Sequence, residues 1–272
     1  MLIEKTKVVD FYKEIKRTPK FWKRKKLNSI SDWQISKICK IQKTKNKKGQ
    51  YVPGITIKYL EYLVGSAITC NDITLTIYAA TILAYAPAFQ HVMEYKEKDL
   101  NKRIIIREKA TNYAFELFSD LVSHDYASFD DFWKKSKTIM IALRKYYHDM
   151  GETDFTIGNA QKWLNIFIKH YYCLCCLNVA SSDIVSITES HLFEVASFAV
   201  DSLMIDKVIL PLLHLDFMKN YSHGKTWGNC DDINAFESYE QDVWNKVKID
   251  PSIKSLFHWE FLQWKPKAEI TK

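Results

Sequence analysis

Apolar and polar positions repeat with a helical period along most of the chain after Tyr51. Over 100–122, Ile104, Ile106, Ala110, Tyr113, Ala114, Leu117 and Leu121 recur every three or four residues and predict an amphipathic helix. Ser128 with Asp131 three positions on resembles a capping box in which Asp replaces the usual Glu, opening a helix to about Tyr147. Asn71 and Asp72 offer a cap to a long apolar helix through Tyr85, which Pro87 interrupts or kinks. A short segment at 55–64 and longer ones at 188–204, 206–221 (with Pro211 early in it) and 232–247 also fit helices. Only V-P-G-I-T-I at 52–57 fits a strand. Ahead of these, 3–16 is a short amphipathic helix closed by Pro19, and Ser31 caps a second one. The charged run at 43–50 is a loop and marks a boundary. The expected fold class is all-α: a basic N-terminal helical arm over 1–50 and a multi-helix globular body over 51–272, in one unit or in two subdomains around a cleft.

One predicted helix breaks the pattern. Starting near Asn159, the stretch 156–177 is apolar or aromatic almost all round, with Trp163, Leu164, Ile166, Phe167, Ile168, Tyr171 and Leu174 covering most directions. Such a helix is normally buried. Gln161, Asn165 and Lys169 nevertheless stand four residues apart and stack along one side. An ammonium is costly to bury unless it has a partner or gives up its proton.

Composition agrees with a globular protein: 272 residues, 47% hydrophobic, 14% aromatic and 26% charged. Seven glycines and six prolines are too few for a turn-rich sandwich or barrel. No apolar run reaches the length of a membrane span, and the first residues lack the apolar core of a signal peptide. The cysteines, among them one C-x-x-C at Cys173–Cys176, form no regular framework and are read as reduced, buried thiols of a cytoplasmic protein. Charge is uneven. The total is +7, yet residues 1–48 hold 16 Lys and Arg against four acids, so the remainder sums to −5. A basic segment on a mildly acidic body is the footprint of a polyanion binder, the bland alternative being a lysine-rich solvated surface. Within it, K-F-W-K-R-K-K at 20–26 interleaves aromatics with cations.

No pair of histidines has metal-ligand spacing, no zinc framework is complete, and phosphate-loop, dinucleotide and serine-nucleophile motifs are absent. Neither a metal nor a cofactor is expected. What remains is Lys169 and a carboxylate to complete it. In S-F-A-V-D-S-L-M, Asp201 stands among apolar neighbours, either as a helix cap or as a buried functional group.

I-F-I-K-H-Y-Y, with the aspartate of F-A-V-D-S-L-M 32 residues after its lysine, resembles the lysine and aspartate segments of helix-hairpin-helix DNA glycosylases. The similarity is greatest to the archaeal 8-oxoguanine group. N-A-Q-K-W-L-N, W-G-N-C-D-D-I-N-A-F-E-S-Y-E at 227–240 and H-W-E-F-L-Q-W at 258–264 also resemble bacterial relatives of that group, some of them phage-defence enzymes acting on glucosylated hydroxymethylcytosine. The likeness covers about 155–264 and rests on short motifs. It implies an enzyme that flips a modified base out of double-stranded DNA and cleaves its N-glycosidic bond. Asp201 would stabilise the oxocarbenium-like sugar, and Lys169, if neutral, would attack C1′ and form a Schiff base. Neutrality near pH 7 needs surroundings worth about 4 kcal/mol to a lysine, and burial and a nearby aspartate act in opposite senses. Gln161 and Asn165 share the lysine's face and are candidates for base or sugar contacts, Lys162 for a phosphate, and Trp227, Trp259 and Trp264 for stacking on the flipped base or simply for core. The hairpin motif L-P-G-[VI]-G is absent; only Gly158 precedes the lysine, and the helix start at Gly158–Asn159 would offer its free N–H groups to a phosphate. The expected partner is DNA, with no membrane and a monomeric protein. The rival readings are a non-enzymatic helical nucleic-acid-binding module, in which Lys169 and Asp201 form a buried structural pair, and a helical scaffold or toxin acting through protein contacts.

Overall fold

The computed structural model describes residues 43–45, 51–53, 73–89, 97–177 and 191–263. The helices expected at 3–16, after Ser31 and at 55–64, the basic run at 20–26 and Trp264 lie outside them. Two short strands, β1 (Lys43–Lys45) and β2 (Tyr51–Pro53), pair antiparallel with Thr44 opposite Val52. The expected charged loop therefore contains one side of a small ribbon, and the expected strand begins one residue early. The other regular elements among the described residues are helices, so the body is all-α.

Helix α1 (Ile73–Phe89) runs past Pro87 for two further residues. It makes the most extensive helix–helix contact of the body, with α4 (Ile157–Leu177). Buried Thr81 turns its hydroxyl back onto the Ile77 carbonyl at 2.8 Å, which lets a polar residue sit in an apolar helix without an unmet donor. Across the interface, the Trp163 indole N–H donates to the Thr81 carbonyl at 3.0 Å. Helix α2 (Leu100–Ser123) starts at Asp99, whose carboxylate accepts from the N–H groups of Asn101 and Lys102. Helix α3 (Phe129–Asp149) starts at Ser128, whose hydroxyl accepts from Asp131 N–H at 3.2 Å, and Asp131 reaches back to the Ala127 N–H at 3.3 Å. Tyr85, Phe89, Phe118, Tyr147, Phe155, Trp163 and Phe167 meet edge-on and stacked where α1 to α4 converge. Aromatic packing of this kind adds about 0.5–1.5 kcal/mol per pair beyond area burial.

After α4 the expectations at 188–204 and 206–221 give way. Among the described residues of the first, His191–Val195 (α5) and Ser202–Met204 (α6), which Asp201 caps, are helical, and 196–200 between them is not. A wide π-helical turn over Ile205–Ile209 then leads into α7 (Leu210–Leu213), which stops at His214 in the left-handed region (φ 57°). The one-turn α8 (Phe217–Asn220) follows, then a 3₁₀ turn at Trp227–Asn229, the expected α9 (Ile233–Val247) behind its Asp232 cap, and α10 (Leu256–Gln263). The S-F-A-V run suits a helix or a buried extended strand equally. Tertiary hydrogen bonds decide against the helix: Phe257 N–H donates to the Ala196 carbonyl, and a glutamine side chain takes both backbone groups of Val200.

Candidate functional site

Construction of the site begins at the start of α4. A helix N-terminus leaves four N–H groups without intrahelical partners, and here each finds one inside the protein. Thr156 N–H donates to Asn159 Oδ1 at 3.0 Å, Ile157 N–H to Asp231 Oδ1 at 3.0 Å, Gly158 N–H to the Cys230 carbonyl at 3.0 Å and Asn159 N–H to Thr156 Oγ1 at 3.2 Å, while Ala160 N–H makes the first helical bond, to the Thr156 carbonyl at 3.1 Å. The single proton of the Thr156 hydroxyl is shared between Asn159 Oδ1 at 3.0 Å and the Gly228 carbonyl at 2.7 Å. The N–H groups expected to meet a phosphate at Gly158–Asn159 are thus already engaged. Gly158 matters for a different reason, since the Trp227 carbonyl lies where its Cβ would be.

The polar stripe exists and is buried. Gln161, Asn165 and Lys169 are 0%, 2% and 8% exposed. Gln161 is fully committed: Nε2 donates to the Val200 carbonyl at 2.6 Å and Oε1 accepts from the Val200 N–H at 3.0 Å. This glutamine pins the non-helical segment that delivers Asp201. Asn165 Nδ2 leans on Gln161 Oε1 at 3.5 Å, and Asn165 Oδ1 has no hydrogen-bond partner among the described residues. Of the two candidates for contact with a base or sugar, Asn165 retains an unused acceptor and Gln161 has become scaffolding.

Lys169 does not pair with Asp201. Its Nζ donates to Glu260 Oε1 at 2.7 Å, with the carboxylate brought in by α10 and almost wholly buried. Burial pushes the Glu260 carboxyl above its usual range and Asp201 pushes the same way; the Lys169 ammonium and, more weakly, the Ala199 N–H oppose. Glu260 Oε2 makes no hydrogen bond among the described residues. Asp201 instead faces Lys162, whose Nζ is 3.5 Å from Oδ2, while Oδ1 accepts the Met204 N–H at 3.0 Å and caps α6. Burial, and secondarily the Lys169 charge, lower the Lys162 amine from its ordinary value against the pull of Asp201. The same Nζ stands 4.5 Å over the ring of Trp227, so this tryptophan is occupied by a cation. Trp259 is packed edge-on to Phe198 in the core, the position of a structural tryptophan. His170, next to the lysine, is held neutral by burial, with its imidazole lowered to about 3.

Two cations and two carboxylates, Lys162, Lys169, Asp201 and Glu260, therefore meet where α4, the start of α6 and α10 converge. Glu260 was overlooked in the sequence, although H-W-E-F-L carries the same signal that exposes Asp201, a lone acid inside an apolar run. Among the described residues no group of three or more His, Cys, Asp or Glu side chains could hold a metal ion, and no helix is long and apolar enough to cross a membrane. The side chains of the C-x-x-C at the end of α4 lie outside the described residues; Cys230 is buried and its thiol is raised by burial. Comparison of the chain with protein-family models, with curated proteins and with solved structures gives no match.

Proposed function

We propose that this protein is a DNA glycosylase that flips a modified base out of duplex DNA and cleaves its N-glycosidic bond, leaving an abasic site. The observation that carries the reading is the four-charge cluster around Lys169, in which Lys169 and Glu260 are buried and Lys162 and Asp201 are partly exposed. Charges removed from water cost several kcal/mol each, and burying them against one another often recovers less than an apolar packing would. Clusters of this sort concentrate where chemistry needs them. The cluster also contains the lysine and aspartate that the sequence resemblance singles out, and Gln161, on the lysine's helix, clamps Val200 next to the aspartate.

In this reading the Asp201 carboxylate stabilises the cationic sugar as the base departs. Lys162 is the counter-ion that the sugar cation would displace at Oδ2. Lys169, if neutral, attacks C1′ and forms the Schiff base that precedes strand cleavage; as a cation it leaves a monofunctional enzyme whose product is the abasic site. Asn165, with its free Oδ1, is the polar group left for the substrate. The base is an oxidised purine or glucosylated hydroxymethylcytosine, the two classes the resemblance names.

The test is incubation with duplexes carrying modified bases, scoring abasic sites and borohydride-trapped complex. Asp201→Asn is the informative variant, because asparagine also caps helices and so preserves the start of α6 while removing the charge. Base release should fall by a factor on the order of 10² or more, as when one electrostatic element of a transition state is lost. Lys169→Ala should abolish trapping. Unchanged release in Asp201→Asn, or no release from any modified duplex, would sink the reading. The second reading, a binding module without catalysis, draws on the fact that Gln161, Asp201 and Lys169 each have a structural partner; it expects salt-dependent DNA binding with no base release.

A further inference from the structure

We propose that Glu260 is the proton acceptor and donor for Lys169, so that the two side chains form a proton-exchange pair that makes the amine reactive toward carbonyl carbon. The inference deepens the glycosylase reading and concerns the same site, but it is argued and tested without DNA. Its basis is geometric. The Nζ to Oε1 distance of 2.7 Å is that of a charge-assisted hydrogen bond, short enough for a proton to cross without any side chain moving. Both groups are buried, Glu260 more so than the lysine. Among the described residues the second carboxylate oxygen, Oε2, has no hydrogen-bond partner, and the Ala199 N–H acts on the carboxyl only weakly. An orphan oxygen is costly on a carboxylate and much less so on a neutral acid, whose charge is gone.

Moving the proton from Nζ to Oε1 converts an ammonium–carboxylate pair into an amine and a carboxylic acid with no change in net charge. Desolvation penalises the first state and hardly touches the second. Of the charged groups acting on the pair, Asp201 favours the protonated acid, while neutral His170 adds no charge. Glu260 thereby eases the opposition between burial and the aspartate, because the proton leaves the lysine without leaving the site.

The chemical cycle closes. The neutral amine adds to an aldehyde carbon, the carbonyl π pair moves to oxygen, and a nitrogen proton follows it to give a carbinolamine. Glu260 then returns its proton to the hydroxyl, water departs, and the nitrogen lone pair forms the C=N bond. An iminium faces a carboxylate, so the pair ends with the charges it began with. Hydride from cyanoborohydride makes the adduct permanent.

The experiment treats the intact protein with formaldehyde and cyanoborohydride from pH 6 to 8.5 and maps methylated lysines by mass spectrometry. Exposed Lys102 is the internal reference, since a solvated amine labels about tenfold faster per pH unit over that range. Lys169 should label with little dependence on pH. In Glu260→Gln, which keeps the size but neither accepts nor returns a proton, labelling of Lys169 at pH 7 should fall at least tenfold, and Glu260→Asp should recover part of it. A Lys169 rate that climbs with pH like Lys102, no Lys169 labelling at all, or wild-type labelling in Glu260→Gln overturns the proposal. The wild-type pH profile decides even if both variants fail to fold. Labelling as expected without base release from modified DNA would retire the glycosylase and leave the proton pair standing; base release without labelling would do the reverse.

Discussion

A methyl group placed on Gly158 would lie 1.9 Å from the Trp227 carbonyl oxygen, a backbone atom that can yield only if the 3₁₀ turn at Trp227–Asn229 moves. Gly158→Ala should therefore cost about 2–3 kcal/mol, at the upper end of overpacking changes, read as a lowered denaturant midpoint. Glu240 makes a second residue-scale statement. It is fully buried on α9, accepts from the Ser197 hydroxyl through Oε2, and leaves Oε1 without a hydrogen bond among the described residues. Burial raises its carboxyl to about 8 from 4.5, opposed by the Ser197 hydrogen bond and assisted by Glu237. The folded state thus holds a proton that the unfolded chain has lost. Stability from this group is fully present below about pH 4.5, declines by roughly 1.4 kcal/mol per pH unit as pH rises toward 8, and is flat above it. Urea midpoints across pH 5 to 9 should fall with pH in the wild type and fall less steeply in Glu240→Gln. At this scale the sequence makes Lys169 visible as an anomaly, but which carboxylate reaches it depends on how α10 returns across the body, and no local spacing encodes that.

Helix α4 is anchored at its start by Asp231, whose Oδ1 accepts both the Ile157 N–H at 3.0 Å and Arg144 Nε at 2.6 Å, tying α3 to α4. The Arg144 guanidinium makes a second contact with Oδ2 and is raised by the hydrogen bonding. Both side chains are about a third exposed, so solvent screening limits the pair. Asp231→Ala should cost about 1 kcal/mol, mostly through the lost cap, and Asp231→Asn about half as much, measured by thermal or urea denaturation. Elements with strong local signals are legible in the sequence. Leu100–Ser123 and Ile233–Val247 lie within one residue of expectation because apolar spacing and an Asp cap agree. Residues 196–200 are not legible in this way. Their apolar side chains fit either conformation, and the hydrogen bonds that hold them out of a helix come from Gln161 and Phe257, 39 and 61 positions away. Asp201 marked that break as a cap, so the structural and functional readings of the residue coexist in one side chain: Oδ1 holds α6 and Oδ2 faces Lys162.

For the whole molecule, the charge distribution decides how DNA would be held. The start of α4 has no N–H group to spare for a phosphate, and Lys162 is engaged by Asp201 and Trp227. Outside residues 1–48 the chain sums to −5, whereas that segment carries +12. A duplex approaching the four-charge cluster would meet a body of the wrong sign unless the basic segment screens it. The glycosylase reading therefore requires the segment to provide most of the phosphate contacts. Each contact releases condensed counterions and adds about 0.9 to the slope of log affinity against log salt. Replacing Lys23, Arg24, Lys25 and Lys26 together with alanine in the full chain should lower that slope by about 2 to 4 and weaken binding at low salt far more than at high salt. Single-turnover base release at saturating DNA should be nearly unchanged, because Lys169, Asp201 and Glu260 are untouched. Titrations of labelled duplex between about 50 and 200 mM salt, a range over which several phosphate contacts change affinity by orders of magnitude, measure the slope directly. An unaltered slope would return the basic run to a solvated surface and move the search for the DNA grip to the helical body.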